Sequence, residues 1–359
     1  MKNFLIVVLA LILGGSAGYF VYRYFLGGAN QAQARSKNLA NYTEPFQWGV
    51  TMGPSDLGNY QPEIWRKQIK VVKNLGAGWI RLRWDSQNAD PFTRNDDEIS
   101  YLTQYGLQTL LIIEQDPRKN YNVDNYKDGF NDGYSIASHY KDKIKFYQLI
   151  NEGGAQSLRE PTMNGQDASQ YDETKYVKVS AYLRGLSEGI AKADPSAWRI
   201  VSLSYTHTGY LDKLINDKID FDMIGLDWYD WMGPIQDKKM DSGGMFTDKL
   251  KSYQKPLIFT EVNAVPHGAT KNSQAKTIVD ENQQSQTISQ TADWAWANKD
   301  YVKGFYVLSL LDGINNPNAN VEYYGIVKGV RNSTGVGVPG DPRKSFYTYQ
   351  DIIKKYSGQ

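Results

Sequence analysis

From about residue 46 onward the chain keeps one rhythm: eight short apolar, β-branched or aromatic runs alternate with longer segments of helical period. The runs are Phe46–Met52, Trp79–Asp85, Gln108–Gln115, Ile144–Glu152, Arg199–Thr206, Phe221–Tyr229, Pro256–Asn263 and Val302–Asp312. Helix candidates separate them, among them Ile64–Leu75, Asp97–Tyr105, Ser135–Lys143, Glu173–Lys192, Phe246–Tyr253 and Asn282–Asn298, and Ser345–Tyr356 closes the chain. Short apolar runs bounded by turn residues suit buried strands, and 3.6-residue periodicity suits helices laid against them. Eight strand-then-helix units over about 310 residues fit a (β/α)8 TIM barrel, which typically takes about 250 and spends the surplus on loops. A doubly wound open sheet is the alternative, but no Gly-x-Gly-x-x-Gly follows the first run, so its dinucleotide version has no support.

The amino terminus stands apart. Phe4–Tyr22 is nineteen residues without a charge, enough helical rise to cross a hydrocarbon core. A cleaved signal peptide would use the stretch up to the small residues near Ser16-Ala17-Gly18, whereas an anchor would use the whole run. The apolar residues beyond that cut favour the anchor. The expected organisation is therefore a membrane anchor or signal segment over 1–26, a small and polar tether over 27–45, and the barrel over 46–359. The barrel is expected outside the cytoplasm, anchored to a membrane or, if the segment is cut, secreted.

Composition narrows the chemistry. Lys plus Arg is 40 against 39 Asp plus Glu, so no net field draws the molecule to nucleic acid. The absence of cysteine removes disulfides, thiol nucleophiles and Cys-based metal sites. Only His139, His207 and His267 are present, with no H-E-x-x-H pair, so no metal and no organic cofactor is implied. Carboxylates remain. In a barrel the active-site loops rise from the carboxyl ends of the strands, and two glutamates end apolar runs there, Glu152 on strand four and Glu261 on strand seven. Each would sit at the edge of a low-dielectric core, where one can be tuned as an acid. Two carboxyl groups across a pocket are the equipment of glycoside hydrolysis.

With these residues the chain resembles the clan A glycoside hydrolases, the cellulase-like group that includes families 5 and 39. The resemblance is architectural over residues 46–356 and specific at short motifs. It implies that Asn151-Glu152 supplies the acid/base, that Glu261 is the nucleophile, and that a β-linked polysaccharide is cleaved with retention. It further implies roles for Arg81 as a cation beside the nucleophile, for Asn151 on the sugar 2-hydroxyl, and for Tyr229 as a hydrogen-bond donor to Glu261. Arg83, two residues after Arg81, points to the same face and competes for its role. Asp227 stands where many members carry His. Strand eight lacks the Trp that commonly floors the first subsite, which leaves Tyr306 as the substitute.

Trp48, Trp84, Trp228, Tyr229 and Trp231 fall on or just past strand ends, where flat rings can stack on sugar C–H faces or pack in the barrel layers. Trp294 and Trp296, on the helix that follows strand seven, read as packing. His207 near the end of strand five is a candidate to bond a sugar hydroxyl, and His267 is a loop candidate. Two long stretches, Gly153–Gln170 and Asn315–Pro342, read as cleft-shaping loops. Such an open, aromatic rim points to endo action. The alternative function is a non-catalytic carbohydrate-binding barrel at the cell surface. Oligomeric state is not legible.

Overall fold

The computed structural model of the chain describes residues 37–52, 61–84, 91–114, 125–264, 280–313 and 323–358. The Phe4–Tyr22 segment and His267 lie outside the described residues. Among the described residues no helix is long and apolar enough to cross a membrane.

Eight parallel strands close into a barrel in sequential order. They are β1 (Gln47–Met52), β2 (Trp79–Arg83), β3 (Gln108–Ile113), β4 (Phe146–Leu149), β5 (Trp198–Ser204), β6 (Met223–Tyr229), β7 (Leu257–Asn263) and β8 (Val302–Val307). Nine helices among the described residues follow in chain order: α1 (Pro62–Leu75), α2 (Pro91–Gln104), α3 (Asn125–His139), α4 (Gly153–Ser157), α5 (Glu173–Ala193), α6 (Thr208–Asn216), α7 (Phe246–Ser252), α8 (Glu281–Ala297) and α9 (Lys344–Ser357). The (β/α)8 architecture read from the sequence is the one observed.

Side-chain alternation along each strand builds two apolar layers. Outward residues meet the helices: Trp48 stacks on Trp296 with centroids 6.0 Å apart, and Phe259 meets Trp294 at 5.9 Å. Inward residues such as Trp79, Phe146, Trp198, Ile258 and Tyr306 form a second cluster that fills the lower barrel. The last part of the expected tether is docked here. Tyr42 lies 5.3 Å from Trp198 and its hydroxyl accepts a hydrogen bond from Gln47, while the Lys37 amide donates to Asp222 Oδ1 at 2.6 Å. Tyr42, Lys37 and the Glu44–Lys145 ion pair together tie residues 37–45 to the barrel floor.

The helix before β4 begins ten residues earlier than the Ser135 expected from periodicity. The ten residues added ahead of Ser135 hold Gly129 and Gly133, poor helix formers in isolation. They are there to let two backbones touch: a Cβ on Gly129 would lie 2.1 Å from the Tyr182 carbonyl oxygen, and one on Gly185 of α5 would lie 2.1 Å from that of Tyr126. The close contact of α3 with α5 outweighs local propensity.

The stretch after β8, expected as a loop, contains an antiparallel pair, β9 (Val327–Arg331) and β10 (Gly337–Pro342). Gly335 at φ +78° supplies the left-handed turn between them. A buried fork-to-fork pair holds the segment down, with Arg343 giving both Asp312 carboxylate oxygens a hydrogen bond at 2.7 Å.

Candidate active site

Strict alternation along β7 would send Glu261 outward, since Ile258 faces the interior and Phe259 the helices. A register shift corrects this. Leu226 pairs with Phe259 but Asp227 pairs with Glu261, so Thr260 is the extra residue of a bulge. Thr260 and Glu261 consequently both reach the interior. Glu261 is 7% exposed, and each carboxylate oxygen has its own donor: Arg81 Nη1 to Oε1 at 2.9 Å, and the Tyr229 hydroxyl to Oε2 at 2.6 Å. Burial and the nearby Glu261 charge hold the Tyr229 phenol well above its usual value, so it stays an O–H donor.

Arg81 is the hub of this cluster. It is 1% exposed and also donates from Nε to Gln148 Oε1 at 2.9 Å and from Nη2 to Asn151 Oδ1 at 2.8 Å. Arg83, the rival candidate, ends β2 beyond the rim, its side chain 63% exposed and 3.5 Å from Glu114. Gln148 Nε2 donates to the same Asn151 oxygen at 2.8 Å. With Asn151 Oδ1 thus occupied twice, its Nδ2 is the atom left to donate toward a ligand.

After β4 the chain turns sharply, with Ile150 and Glu152 both left-handed at φ 60° and 50°. Each such residue costs about 1–2 kcal/mol without compensation. Ser202 on β5 helps hold the turn, accepting from the Glu152 amide at 2.8 Å and donating to the Ile150 carbonyl. The turn leaves Glu152 half-buried and near enough to Glu261 for the two charges to interact. Burial first, and repulsion from Glu261 second, raise its pKa above the ordinary carboxylate range, partly offset by the Ser204 hydroxyl, Arg81 and Asp227. Such a group can hold a proton where an ordinary Glu has lost it. Asp227, fully buried, is raised further by burial and by the charges of Glu261 and Glu152.

The structure thus brings Glu152, Glu261, Arg81, Asn151 and Tyr229 together at the carboxyl mouth. The aromatic candidates divide. Trp48 is 5% exposed and faces α8 and α9, so it packs rather than lining the cleft. Trp84 turns outward onto Phe92 and Tyr140, and Trp228 stacks on Phe246 with its indole N–H bonded to the Gly233 carbonyl. All three are on the outward parity of their strands. Tyr306 does not floor a subsite either. It is fully buried in the lower interior, against Gly49, with its hydroxyl on Gln47 Oε1 at 2.7 Å. His207 sits against the loop carrying Gly165, at the N-cap position of α6 but with no side-chain capping bond; burial lowers its pKa to about 4, so it is neutral at pH 7. Trp231 alone among the tryptophan candidates is open, 62% exposed and 5.3 Å from Tyr205 at the rim.

Sequence reasoning passed over four participants. Gln148 and Ser202 carry no motif, and their one signal is the inward parity they share with Phe146 and Ile200. Thr260 reaches Asp227 only because of the bulge, donating to Oδ1 at 2.6 Å. Tyr324, half-buried and 5.9 Å from the Tyr229 ring, comes from the segment after β8. That segment is anchored by Asn263 Nδ2, which donates to the Leu308 carbonyl and, at 2.7 Å, to that of Tyr324. Among the described residues no group of His, Asp and Glu has the geometry of a metal site.

No family model matches the chain, and no curated protein sequence matches it. Among solved structures it is similar to the β-glucosidase from Thermotoga maritima in complex with azafagomine, at a TM-score of 0.61 and 14% identity, covering 88% of this chain and 99% of that one. The family 1 β-glucosidase from Thermotoga maritima aligns equally well, TM-score 0.61 at 14% identity over 88% of this chain and 98% of that one. The same organism's β-glucosidase in complex with cyclophellitol gives 0.61 and 14%, over 88% and 99%. At that identity the likeness establishes the fold, a (β/α)8 barrel, over most of the chain.

Proposed function

We propose that the chain is a retaining glycoside hydrolase of the clan A type, acting on a β-linked polysaccharide from within the chain. The observation that carries this reading is the opposition of two unlike carboxyl groups at the barrel mouth. Glu261 is held through both oxygens by Arg81 and Tyr229, while Glu152 is raised toward the neutral acid. In the first step Glu152 gives its proton to the glycosidic oxygen, the C–O bond breaks, and a Glu261 oxygen bonds the anomeric carbon. In the second, water attacks that carbon, Glu152 takes the water's proton, and the Glu261 ester bond breaks. Asn151 Nδ2 is the donor assigned to the 2-hydroxyl, a reading supported by the double occupation of its Oδ1. Support for endo action comes from the rim, where Trp231 and Tyr205 offer a stacking surface outside the carboxylate cluster. The neighbours in structure are β-glucosidases, so β-glucosides head the substrate panel. The apolar Phe4–Tyr22 segment supports an extracytoplasmic, membrane-tethered location.

The test incubates the protein with β-glucans, mannans, xylans, galactans and microbial exopolysaccharides and scores new reducing ends against Glu261→Gln. Product from the wild type alone, with retained anomeric configuration by NMR, is the expected result. Binding of a glycan without product from any of them would replace the hydrolase with a carbohydrate-binding barrel.

A further inference from the structure

Three carboxyl groups, Glu152, Asp227 and Glu261, share the barrel mouth with one guanidinium, that of Arg81. The two-carboxyl mechanism uses only two of them. Asp227 is fully buried on β6, level with Glu261 on β7 and Ser204 on β5. Its Oδ1 accepts from Thr260 at 2.6 Å, but its buried Oδ2 meets no donor among the described residues. Glu152 belongs to the same cluster: Asp227 and Ser204 both act on its carboxyl, and Glu152 and Glu261 both act on that of Asp227. Two carboxyl groups can join by a hydrogen bond only if one of them carries a proton. An ionised Asp227 with a bare, buried oxygen beside two other carboxylates would be a large uncompensated cost, whereas a protonated one turns the bare oxygen into a donor.

We propose that Asp227 is a permanently protonated positioning residue that donates its O–H to Glu152 whenever Glu152 is the carboxylate. The idea rests on the hydrolase reading and deepens it. When Glu152–H has protonated the leaving oxygen, Glu152 is an anion, Glu261 is a neutral ester, and Arg81 is the one cation left in the cluster. Asp227 then satisfies the new charge from its own side. When Glu152 recovers a proton from the attacking water, Asp227 has neither gained nor lost one, so the cycle balances. The groups that face Asp227 are Glu261 and Thr260 from β7, Glu152 from the turn after β4, Ser204 from β5 and Arg81 from β2, and all but Arg81 are acidic or neutral. One cation, already bonded to Glu261, does not suffice to keep a third carboxyl ionised.

The experiment compares wild type with Asp227→Asn, which keeps a neutral donor, and Asp227→Ala, which does not. Infrared difference spectra of wild type minus Asp227→Asn at pH 7 should show the C=O stretch of a protonated carboxyl group. A carboxylate band in its place overturns the proposal, and this arm needs no turnover, so it decides the protonation state even if no glycan is cleaved. In the kinetic arm, Asp227→Ala should lower kcat about tenfold on substrates limited by the second step, with Asp227→Asn recovering most of that loss. Removing a donor that favours ionised Glu152 should move the alkaline limb of kcat/KM upward by about one pH unit in Asp227→Ala and leave it in place in Asp227→Asn. An anionic Asp227 would produce the opposite, a downward shift in both variants, and would overturn the proposal. A protonated Asp227 in a protein that hydrolyses nothing would leave the carboxyl pair standing and remove the hydrolase.

Discussion

Replacing Arg81 by Met separates the structural weight of the site from its chemistry. The guanidinium is buried and serves Glu261, Asn151 and Gln148 at 2.8–2.9 Å, with a longer contact to Thr51. Methionine fills much of the volume but removes every donor. Glu261 Oε1 is then a buried carboxylate oxygen without its cation, a loss of about 3–5 kcal/mol when one partner of a buried pair is deleted. Gln148 Oε1 loses its donor as well, for about 1 kcal/mol more. The sum, roughly 4–6 kcal/mol, is a large part of the 5–15 kcal/mol typical of a folded domain. Adding Glu261→Gln removes the stranded charge and should return about 2–4 kcal/mol, so the double variant is more stable than Arg81→Met alone. Urea unfolding followed by the fluorescence of the nine tryptophans measures both. A cost under about 1 kcal/mol for Arg81→Met would refute the reasoning. So would a double variant that simply adds two losses.

Other contacts of the structure set three further outcomes. Glu152→Ala should lower turnover by about 100- to 10,000-fold on substrates with poor leaving groups, far less on activated aryl glycosides, and azide should restore part of the loss; equal losses on both substrate types would show that Glu152 is not the acid. Gly185→Ala, which helix propensity alone would make stabilising, should instead cost about 1–3 kcal/mol because the new methyl meets the Tyr126 carbonyl at 2.1 Å, and a raised melting temperature would contradict that packing. His207 titrates near 4 folded against 6.5 unfolded, so the unfolded chain binds the extra proton between those values and stability should rise with pH across that window, by at most roughly 3 kcal/mol. His207→Gln should flatten that slope in urea unfolding at pH 4.5 and 7, and an unchanged slope would place the acid sensitivity elsewhere.

The barrel and the addresses of its mouth are written in local pattern. Strand and helix periods are local patterns, and a parallel eight-unit alternation has few ways to close, so the carboxyl ends of β4 and β7 and the glutamates there were legible. Arg81, Asn151 and Tyr229 were legible through the resemblance to clan A glycoside hydrolases, which the short motifs around them carry. Direction was not. Whether Trp48, Trp84 and Trp228 face sugar or helix depends on strand parity at the end of a run, and a one-residue slip reverses it. The β7 bulge that turns Glu261 inward is a property of the β6–β7 pairing, invisible in either strand alone. The glycines of α3 look like a loop until α5 is laid against them. Tyr324 and Asp227 become part of the site only through neighbours brought from far along the chain, Asn263 for the one and Glu152 with Thr260 for the other. Local pattern specifies which elements form. The proton on a buried carboxyl, and the aim of a catalytic oxygen, are settled by charges and backbones that meet only after the barrel has closed.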